Sequence, residues 1–359
     1  MRVLFDFLSR NKRHVATFAL IFGFVVDIIT FRNIDLSLSQ LILSVHLLIV
    51  ALSILILSTP QKERGGLIGF TRSWLPVLLQ YSTGNLLSAF LVLYSGSGSL
   101  AQSWPFFALV AVAAIGNETL KLDTYLLPFR TTLLFLNLLL FSVLAVPIAV
   151  HSISAWSFLV SIAIATTIFS IYAYLGGFFL KSSFRRHFKK IERSALATLV
   201  IFAMLYFTNL IPPIPLSVKT IDFYHNVYKT DNTYIGVDEE RPFWERFFAL
   251  SGVTLNVPEG SDAYVFTAIF APAKLETTVA HVWEHYDESA HAWVTVNTVP
   301  FPIVGGRAEG YRGYSLVSNP KPGKWRVTAK TARGQVIGRA YLIVVQSTEE
   351  NIYNERIID

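Results

Sequence analysis

Seven apolar runs follow one another along the first 211 residues, and each has about the length of a membrane-spanning helix. A helix needs about 20 apolar residues to cross roughly 30 Å of hydrocarbon. Other backbone conformations would leave N–H and C=O groups unsatisfied in lipid. The pattern therefore predicts an α-helical multi-pass membrane bundle of about seven transmembrane helices, over residues 15–31, 38–57, 74–94, 100–120, 131–150, 156–180 and 195–211.

Lysine and arginine are concentrated in alternate connections between these runs. Fifteen lie in the N-terminal segment and in the second, fourth and sixth connections, whereas the intervening connections contain only Arg32. The positive-inside rule then predicts a protein of the cytoplasmic (inner) membrane with a cytoplasmic N-terminus and, after an odd number of spans, an extracytoplasmic C-terminal domain. Because the positive charge belongs to these short loops, the net charge of +6 does not indicate nucleic-acid binding.

After residue 216 the long apolar runs give way to short β-like segments separated by turns rich in Gly and Pro. Segments of this kind indicate an all-β, sandwich-like domain. They cover residues 253–257, 264–270, 277–286, 292–298, 313–317, 324–330 and 335–345. We therefore divide the chain into a transmembrane helical domain (1–211), a linker and membrane-proximal segment (212–250), a β-sandwich-like module (251–347) and a C-terminal tail (348–359).

Four spaced motifs in this module carry a family resemblance: His281-x-Trp283, Arg312-x-Tyr314-Ser315, Gly323-x-Trp325-x-Val327 and Gly334-x-Val336-Ile337. They resemble the C-terminal module of bacterial multi-pass membrane proteins grouped as domain of unknown function 2914, over roughly residues 251–345. The aromatic-Ser pair of that family is usually Trp-Ser, whereas here it is Tyr314-Ser315. The resemblance implies a membrane-tethered, β-rich periplasmic domain, and it implies no established activity.

The module is rich in aromatic side chains, and these have two interpretations. They can form the core, with Trp and Tyr packing between sheets, or an exposed platform that binds an envelope glycan or a protein partner. Since an alternating strand cannot bury both faces equally, we expect some of them to be exposed. The candidate binding residues are Trp283, Trp293, Tyr311, Arg312, Tyr314 and Trp325.

Neither metal binding nor catalysis is indicated. The chain has no cysteine, which excludes disulfides and thiolate chemistry. His281 and His285 are too far apart along a strand, about 13 Å, to converge on one zinc ion. No phosphate loop, His-Glu-x-x-His or Gly-x-Ser-x-Gly motif occurs. We therefore predict no catalytic residue, metal or cofactor, and leave the oligomeric state open.

Polar side chains within the apolar runs support an alternative function. Asp27, His46, Gln80, Asn85 and Asn137 could line a polar path or a substrate pocket, or could form contacts between helices. The spans lack paired mid-membrane carboxylates and a pair of broken helices, which favours contacts between helices. The leading hypothesis is thus a membrane protein that displays an extracytoplasmic binding or interaction module; the alternative is a small transporter or membrane-embedded enzyme.

Overall fold

The computed structural model describes residues 36–59, 67–119, 126–180, 183–231, 233–239, 252–272, 274–306, 310–347 and 353–358. The predicted first span, 15–31, and Asp27 lie outside the described residues. By internal contacts the chain divides into two compact units. One contains the helices except for the first residues of the helix that starts at Leu100; the other contains Ile211–Asp359 together with the short segments Gly96–Ser103 and His151–Ile153.

The described part of the first unit consists of helices. They are α1 (Leu36–Ser58), α2 (Leu67–Ser95), α3 (Leu100–Thr119), α4 (Leu126–Ala149), α5 (Ala155–Phe179) and α6 (Ser183–Phe207). Five of them, α1 to α5, are long and apolar enough to cross a membrane. This confirms the prediction of several apolar helices followed by a β-rich region, whereas the count of seven spans stays a prediction.

Helix α6 differs from the sequence prediction at its start. The pattern placed the basic residues after Lys181 in a connection and began the last span at residue 195, but α6 already begins at Ser183. Arg, Lys and Glu are good helix formers, and no Gly or Pro interrupts this segment. Hydropathy marks only the apolar part of a helix, so it cannot locate a start among charged residues.

Eleven strands form three sheets in the described C-terminal part. They are β1 (Ser217–Tyr224), β2 (Asn226–Thr230), β3 (Thr233–Glu239), β4 (Val253–Pro258), β5 (Asp262–Phe270), β6 (Glu276–Asp287), β7 (Ala292–Val304), β8 (Tyr311–Ser318), β9 (Gly323–Thr331), β10 (Val336–Ser347) and β11 (Tyr353–Ile357). The strand orders are β1-β5-β8, β4-β10-β9-β6-β7 and β11-β3-β2. All pairings are antiparallel except that of β4 with β10.

Residues from the first two sheets share one hydrophobic core. Val265 and Val317 of the three-stranded sheet β1-β5-β8 belong to the same buried cluster as Trp283, Val327 and Leu342 of the five-stranded sheet. The all-β character of the C-terminal region is therefore confirmed. The sandwich arrangement stays a prediction.

The third sheet packs on the other face of β5. Phe266 and Ala268 of β5 cluster with Tyr224, Val227 and Ile358, so both faces of β5 are covered. A Cβ atom on Gly236 of β3 would lie 2.6 Å from the ring of Tyr224, which is why this close approach requires glycine. Strands β1 to β3 lie within the segment that the sequence predicted as a linker, and β11 lies within the predicted tail.

Candidate functional site

A buried hydrogen-bonded chain joins the residues of the first two sequence motifs. The His281 imidazole is fully buried, with Nε2 2.9 Å from Thr267 Oγ1 and Nδ1 3.0 Å from Ser315 Oγ. The indole Nε1–H of Trp283 donates to the same Ser315 oxygen over 2.9 Å. Burial lowers the pKa of His281 from 6.5 to about 3, so the ring is neutral at physiological pH. These residues form the polar centre of the core.

The six candidate binding residues do not form one surface. Trp283 and Trp325 are only 0% and 2% exposed and lie in the core that the two sheets share. Tyr311 packs against a second buried cluster. The buried rings of Trp283 and Trp325 cannot contact a ligand without rearrangement, and the half-buried Tyr311 packs away from the other candidates.

Tyr314 and Trp293 lie in separate aromatic groups. Tyr314 of β8 is 41% exposed, and its ring lies 6.2 Å from Tyr234 and 6.4 Å from Tyr264, centroid to centroid. Arg312, two residues earlier on β8, is half-buried, and its carbonyl oxygen lies 3.5 Å from the Tyr234 hydroxyl. Trp293 belongs instead to the five-stranded sheet, on β7. The two groups are therefore independent candidates.

The Trp293 surface, defined here as Tyr286, Trp293, Arg326 and Tyr341, is held by Glu284. The Arg326 guanidinium donates two hydrogen bonds to the Glu284 carboxylate, at 2.7 and 2.8 Å. The same guanidinium lies over the Trp293 ring, 4.4 Å from its centroid. The Tyr286 and Tyr341 rings lie 5.2 and 6.1 Å from that of Trp293. A bidentate ion pair and a cation–π contact thus fix an aromatic side chain on the face of the sheet.

The Glu284 carboxylate stays ionised although it is buried. Burial acts to raise its pKa, but the hydrogen bonds and charge of Arg326, with the charges of Lys330 and Arg339, outweigh burial and lower the pKa. Three cations thus lie near enough to this carboxylate to lower its pKa, and Arg326 contacts it directly. This leaves the Trp293 surface with a positive local charge, which suits acidic or polar ligands better than purely apolar ones.

Sequence reasoning missed Tyr341 and Glu284 as members of this surface. Strand register brings them together, because Tyr341 is paired with Arg326 on β9 and Arg326 with Glu284 on β6. Paired residues point to the same face of a sheet. The alternation of polar and apolar residues along β9 was visible in the sequence, but the identity of the neighbouring strands was not.

A second charged cluster was also missed, and it ties the last described strand to the others. Arg356 of β11 lies 3.2 Å from Asp222 and 3.6 Å from Asp238, and it donates to the Tyr224 hydroxyl over 3.1 Å. The His225 ring lies against that of Tyr353, with centroids 4.6 Å apart and the ring planes tilted by 51°. These contacts connect β11 with β1 and β3, so we assign them a structural role.

Both histidines of β6 are engaged in hydrogen bonds. His285 Nε2 lies 3.3 Å from the carbonyl oxygen of Pro322, and His281 belongs to the buried chain described above. In the part of the chain that the structure describes, no group of three or more His, Cys, Asp or Glu side chains could hold a metal ion.

Among the polar residues of the helices, the structure brings two pairs together. His46 Nε2 of α1 lies 3.3 Å from Asn85 Nδ2 of α2, and Gln80 of α2 donates to Glu118 of α3 over 2.9 Å. Asn137 instead donates to the carbonyl oxygen of Leu133 in its own helix. Gln80 and Asn85 therefore contact neighbouring helices, whereas the amide nitrogen of Asn137 donates within its own helix.

Comparison with solved structures gave matches of low similarity. An immunoglobulin-like protein from Pseudomonas aeruginosa is 7% identical with a TM-score of 0.20, and the match covers 36% of this chain and 96% of that one. A β-glucosidase from Listeria innocua is 12% identical with a TM-score of 0.19, covering 33% and 17%. An alkylpurine DNA glycosylase from Pseudomonas fluorescens is 13% identical with a TM-score of 0.23, covering 76% and 77%. Scores this low support no conclusion about fold or function.

No curated protein matches the sequence. A protein-family match, by contrast, covers residues 276–342, and the family is described as Protein of unknown function (DUF2914). The matched range runs from the start of β6 into β10 and includes His281, Ser315 and the Trp293 surface. This confirms the resemblance seen in the motifs: the C-terminal region of this chain carries a DUF2914 module.

Proposed function

We propose that this chain is an integral protein of the cytoplasmic membrane that displays its DUF2914 module on the extracytoplasmic side to bind a glycan or protein of the cell envelope. Five helices of spanning length and the distribution of Lys and Arg support membrane insertion and this orientation. The observation that carries the binding role is the fixed position of Trp293 between Arg326 and two tyrosines.

Contacts within the second unit support the orientation of the module. Ser152 forms a parallel β-bridge with Glu276 at the start of β6. A Cβ atom on Gly98 would lie 2.9 Å from Pro212, so that connection also runs close to the start of the β-rich region. Both connections lack Lys and Arg and were predicted to be extracytoplasmic. The module and these two connections are therefore predicted to lie on the same side of the membrane.

A fixed aromatic surface is suited to recognition. Rigid Trp and Tyr side chains lose little conformational entropy when they bind, and such residues dominate the binding energy of many interfaces. Tyr341 is 37% exposed and extends the surface beyond the half-buried Trp293. Arg326, already ordered by Glu284, can contribute to contact with little additional ordering cost.

Site-specific photo-crosslinking in the full-length protein tests the binding role. A photoreactive phenylalanine analogue placed at Tyr341 should form an adduct with the envelope ligand. The same analogue at Ile357, which is exposed on β11 of the third sheet and belongs to neither aromatic group, serves as the control. Trp293→Ala should abolish the adduct at position 341. Equal adducts at both positions, or an adduct that survives Trp293→Ala in a folded chain, would contradict binding at this surface.

Reporter fusions test the orientation. Activity of an extracytoplasmic reporter is expected after Ser97 and Asp359, and activity of a cytoplasmic reporter after Leu57 and Ser183. A cytoplasmic signal at Asp359 would overturn both the orientation and the extracytoplasmic display of the module.

The alternative function, a small transporter or membrane-embedded enzyme, is supported by the pair formed by His46 and Asn85. The other ring nitrogen of His46, Nδ1, is buried and has no hydrogen-bond partner among the described residues. Replacing His46 by Phe and Asn85 by Leu separates the two functions. Transport or membrane-embedded chemistry would be lost in this variant, whereas crosslinking at Tyr341 would be unchanged if the module is the functional part.

A further inference from the structure

Helix α6 carries a stripe of positive charge on its first half. Arg186, Lys189, Lys190 and Arg193 follow the spacing i, i+3, i+4, i+7, which places them on one face of a helix. All four side chains are exposed. Glu192 is the only acidic residue of the helix. We call these four residues the cationic stripe.

The same face continues as an apolar surface on the second half of α6. Leu196, Val200, Met204 and Phe207 extend the i+3 and i+4 spacing and are 59%, 49%, 63% and 57% exposed. No charged residue occurs between Ala195 and Phe207. Exposed apolar side chains on a helix of a membrane-inserted protein face the acyl chains of lipids. The cationic stripe thus leads directly into a lipid-facing surface.

The apolar half of α6 is short for a membrane span. The helix ends at Phe207, so 13 residues from Ala195 onward give about 20 Å at a rise of 1.5 Å per residue, against about 30 Å of hydrocarbon. Such a mismatch draws flanking Lys and Arg towards the interface, where they extend their charged ends to the headgroups. Along the axis, Arg193 lies about 5 Å and Lys189 about 11 Å from Leu196, which is headgroup depth.

A neighbouring helix adds a further cation at this depth. Thr132 of α4 donates a hydrogen bond to the Ser194 hydroxyl of α6 over 2.7 Å. Arg130 is half-buried and lies two residues before Thr132, and Arg193 directly precedes Ser194, so the two arginines lie at a similar level. Phe188, 43% exposed, adds an aromatic ring among the charges of α6. Arginine guanidinium groups bind phosphate through two parallel hydrogen bonds, which lysine cannot do.

We infer that the cationic stripe of α6, with Arg130, binds the phosphate headgroups of anionic phospholipids in the bilayer that holds the chain. This inference rests on the membrane insertion proposed above, but not on the binding role of the β-rich module. Juxtamembrane clusters of four to eight cations attract anionic lipids electrostatically. Here the exposed apolar stripe holds the acyl chains of the same lipids beside the cations.

Electron spin resonance with spin-labelled lipids tests the inference in the full-length protein. The protein is reconstituted into phosphatidylcholine bilayers, and the association of spin-labelled phosphatidylglycerol is compared with that of spin-labelled phosphatidylcholine. We expect phosphatidylglycerol to associate about twofold or more strongly. Replacing Arg186, Lys189, Lys190 and Arg193 by Gln should bring this ratio close to one.

A matched variant controls for net charge. Lys219, Lys229, Lys274 and Lys321 are exposed lysines of the β-rich region, and replacing them by Gln removes the same charge. This variant should keep the selectivity of the unmodified chain. A variant with Arg and Lys exchanged at the four stripe positions preserves the charge and should also keep the selectivity. It takes the place of the Gln variant if the Gln variant does not insert into the bilayer. Loss of selectivity in the lysine control, or its retention in the Gln variant, would overturn the inference.

Three further outcomes separate the possible failures. If sodium phosphate displaces phosphatidylglycerol more than sodium chloride does at equal ionic strength, the site binds a soluble anion and the lipid assignment is wrong. If the chain enters the bilayer but shows equal association of both lipids, only the lipid inference fails. If the chain does not enter a bilayer, the proposed membrane insertion fails and the lipid inference fails with it.

Discussion

The Nδ1 atom of His281 lies 3.0 Å from the hydroxyl oxygen of Ser315, a residue of a different sheet. Both side chains are buried, and each belongs to a different sequence motif of the DUF2914 module. Ser315 also accepts the indole N–H of Trp283. The spaced motifs therefore correspond to one polar chain that crosses between two sheets, and their residue types follow from the need to satisfy buried donors and acceptors.

The first prediction concerns which side chain donates each hydrogen bond between Trp283, Ser315, His281 and Thr267. Because Trp283 can only donate, the Ser315 hydroxyl is free to donate its own hydrogen to His281 Nδ1. The ring then carries its hydrogen on Nε2 and donates to Thr267, whose hydroxyl points to the carbonyl oxygen of Gly313 at 3.4 Å. We expect the neutral Nε2–H tautomer of His281 in ¹⁵N NMR spectra, with the resonance assigned by its absence in His281→Gln. A Nδ1–H tautomer would contradict the proposed direction.

The second prediction concerns stability in acid. The pKa of His281 falls from 6.5 to about 3 on folding, so the unfolded chain binds the additional proton between these values. The stabilisation is therefore complete above pH 6.5 and is lost as the pH falls towards 3, by about 1.4 kcal/mol per pH unit. Thermal unfolding followed by near-ultraviolet circular dichroism should show this steep dependence. His281→Gln cannot titrate, so its profile should be flatter over the same range; equal slopes would contradict the assignment.

The third prediction concerns Ser315. Ser315→Ala removes the acceptor of Trp283 and a partner of His281, and each buried group left unsatisfied costs about 1–3 kcal/mol. The melting temperature should fall accordingly. Ser318→Ala, on the same strand but exposed, is the matched control and should change stability by about 0.5 kcal/mol or less. Similar losses in both variants would show that the hydroxyl of Ser315 has no special role.

The apolar helices could be predicted from the sequence, because lipid requires a run of apolar residues in every helix that spans a membrane. Strands β4 to β10 were also recognisable, since each alternates or is bounded by turn residues. Strands β1, β2, β3 and β11 were not predicted, because their polar and apolar residues do not alternate regularly. The partners of β1 and β11 also lie far along the chain, since Ser217 pairs with Phe270 and Tyr353 with Glu239. Short strands of mixed polarity become recognisable only when the partner is known.

Which of the candidate residues are buried could not be predicted from the sequence, because burial also depends on the neighbouring strands. The residue type of Trp293 indicated a binding surface, but Trp283 and Trp325 gave the same indication and lie in the core. The face on which a tryptophan lies depends on register, and a β-bulge between Trp283 and Glu284 shifts the register of β6 against β7. Composition could not reveal that bulge, nor the strand order that brings Tyr341 beside Arg326.

The fourth prediction concerns the ion pair beneath the Trp293 surface. The side chains of Glu284 and Arg326 are only 8% and 17% exposed, so Glu284→Gln leaves a largely buried guanidinium without its charged partner. We expect a loss of about 1–3 kcal/mol in the free energy of unfolding, because breaking a buried pair costs more than breaking an exposed one. The ring of Trp293 should also become more mobile, which its fluorescence anisotropy decay would show when the other tryptophans are replaced by phenylalanine.

Glu288→Gln provides the matched control for that experiment. Glu288 pairs with Lys324 at 3.4 Å, but their side chains are 70% and 61% exposed, so water and salt screen the interaction. Its loss should cost about 0–1 kcal/mol and leave Trp293 unchanged. The pKa of Glu284 is lowered in the folded chain, so its contribution is present near neutral pH and is lost as the pH falls through the acidic range. Accordingly, unmodified protein and Glu284→Gln should converge in stability at low pH, and a constant difference at all pH values would contradict the role assigned to the Glu284 charge.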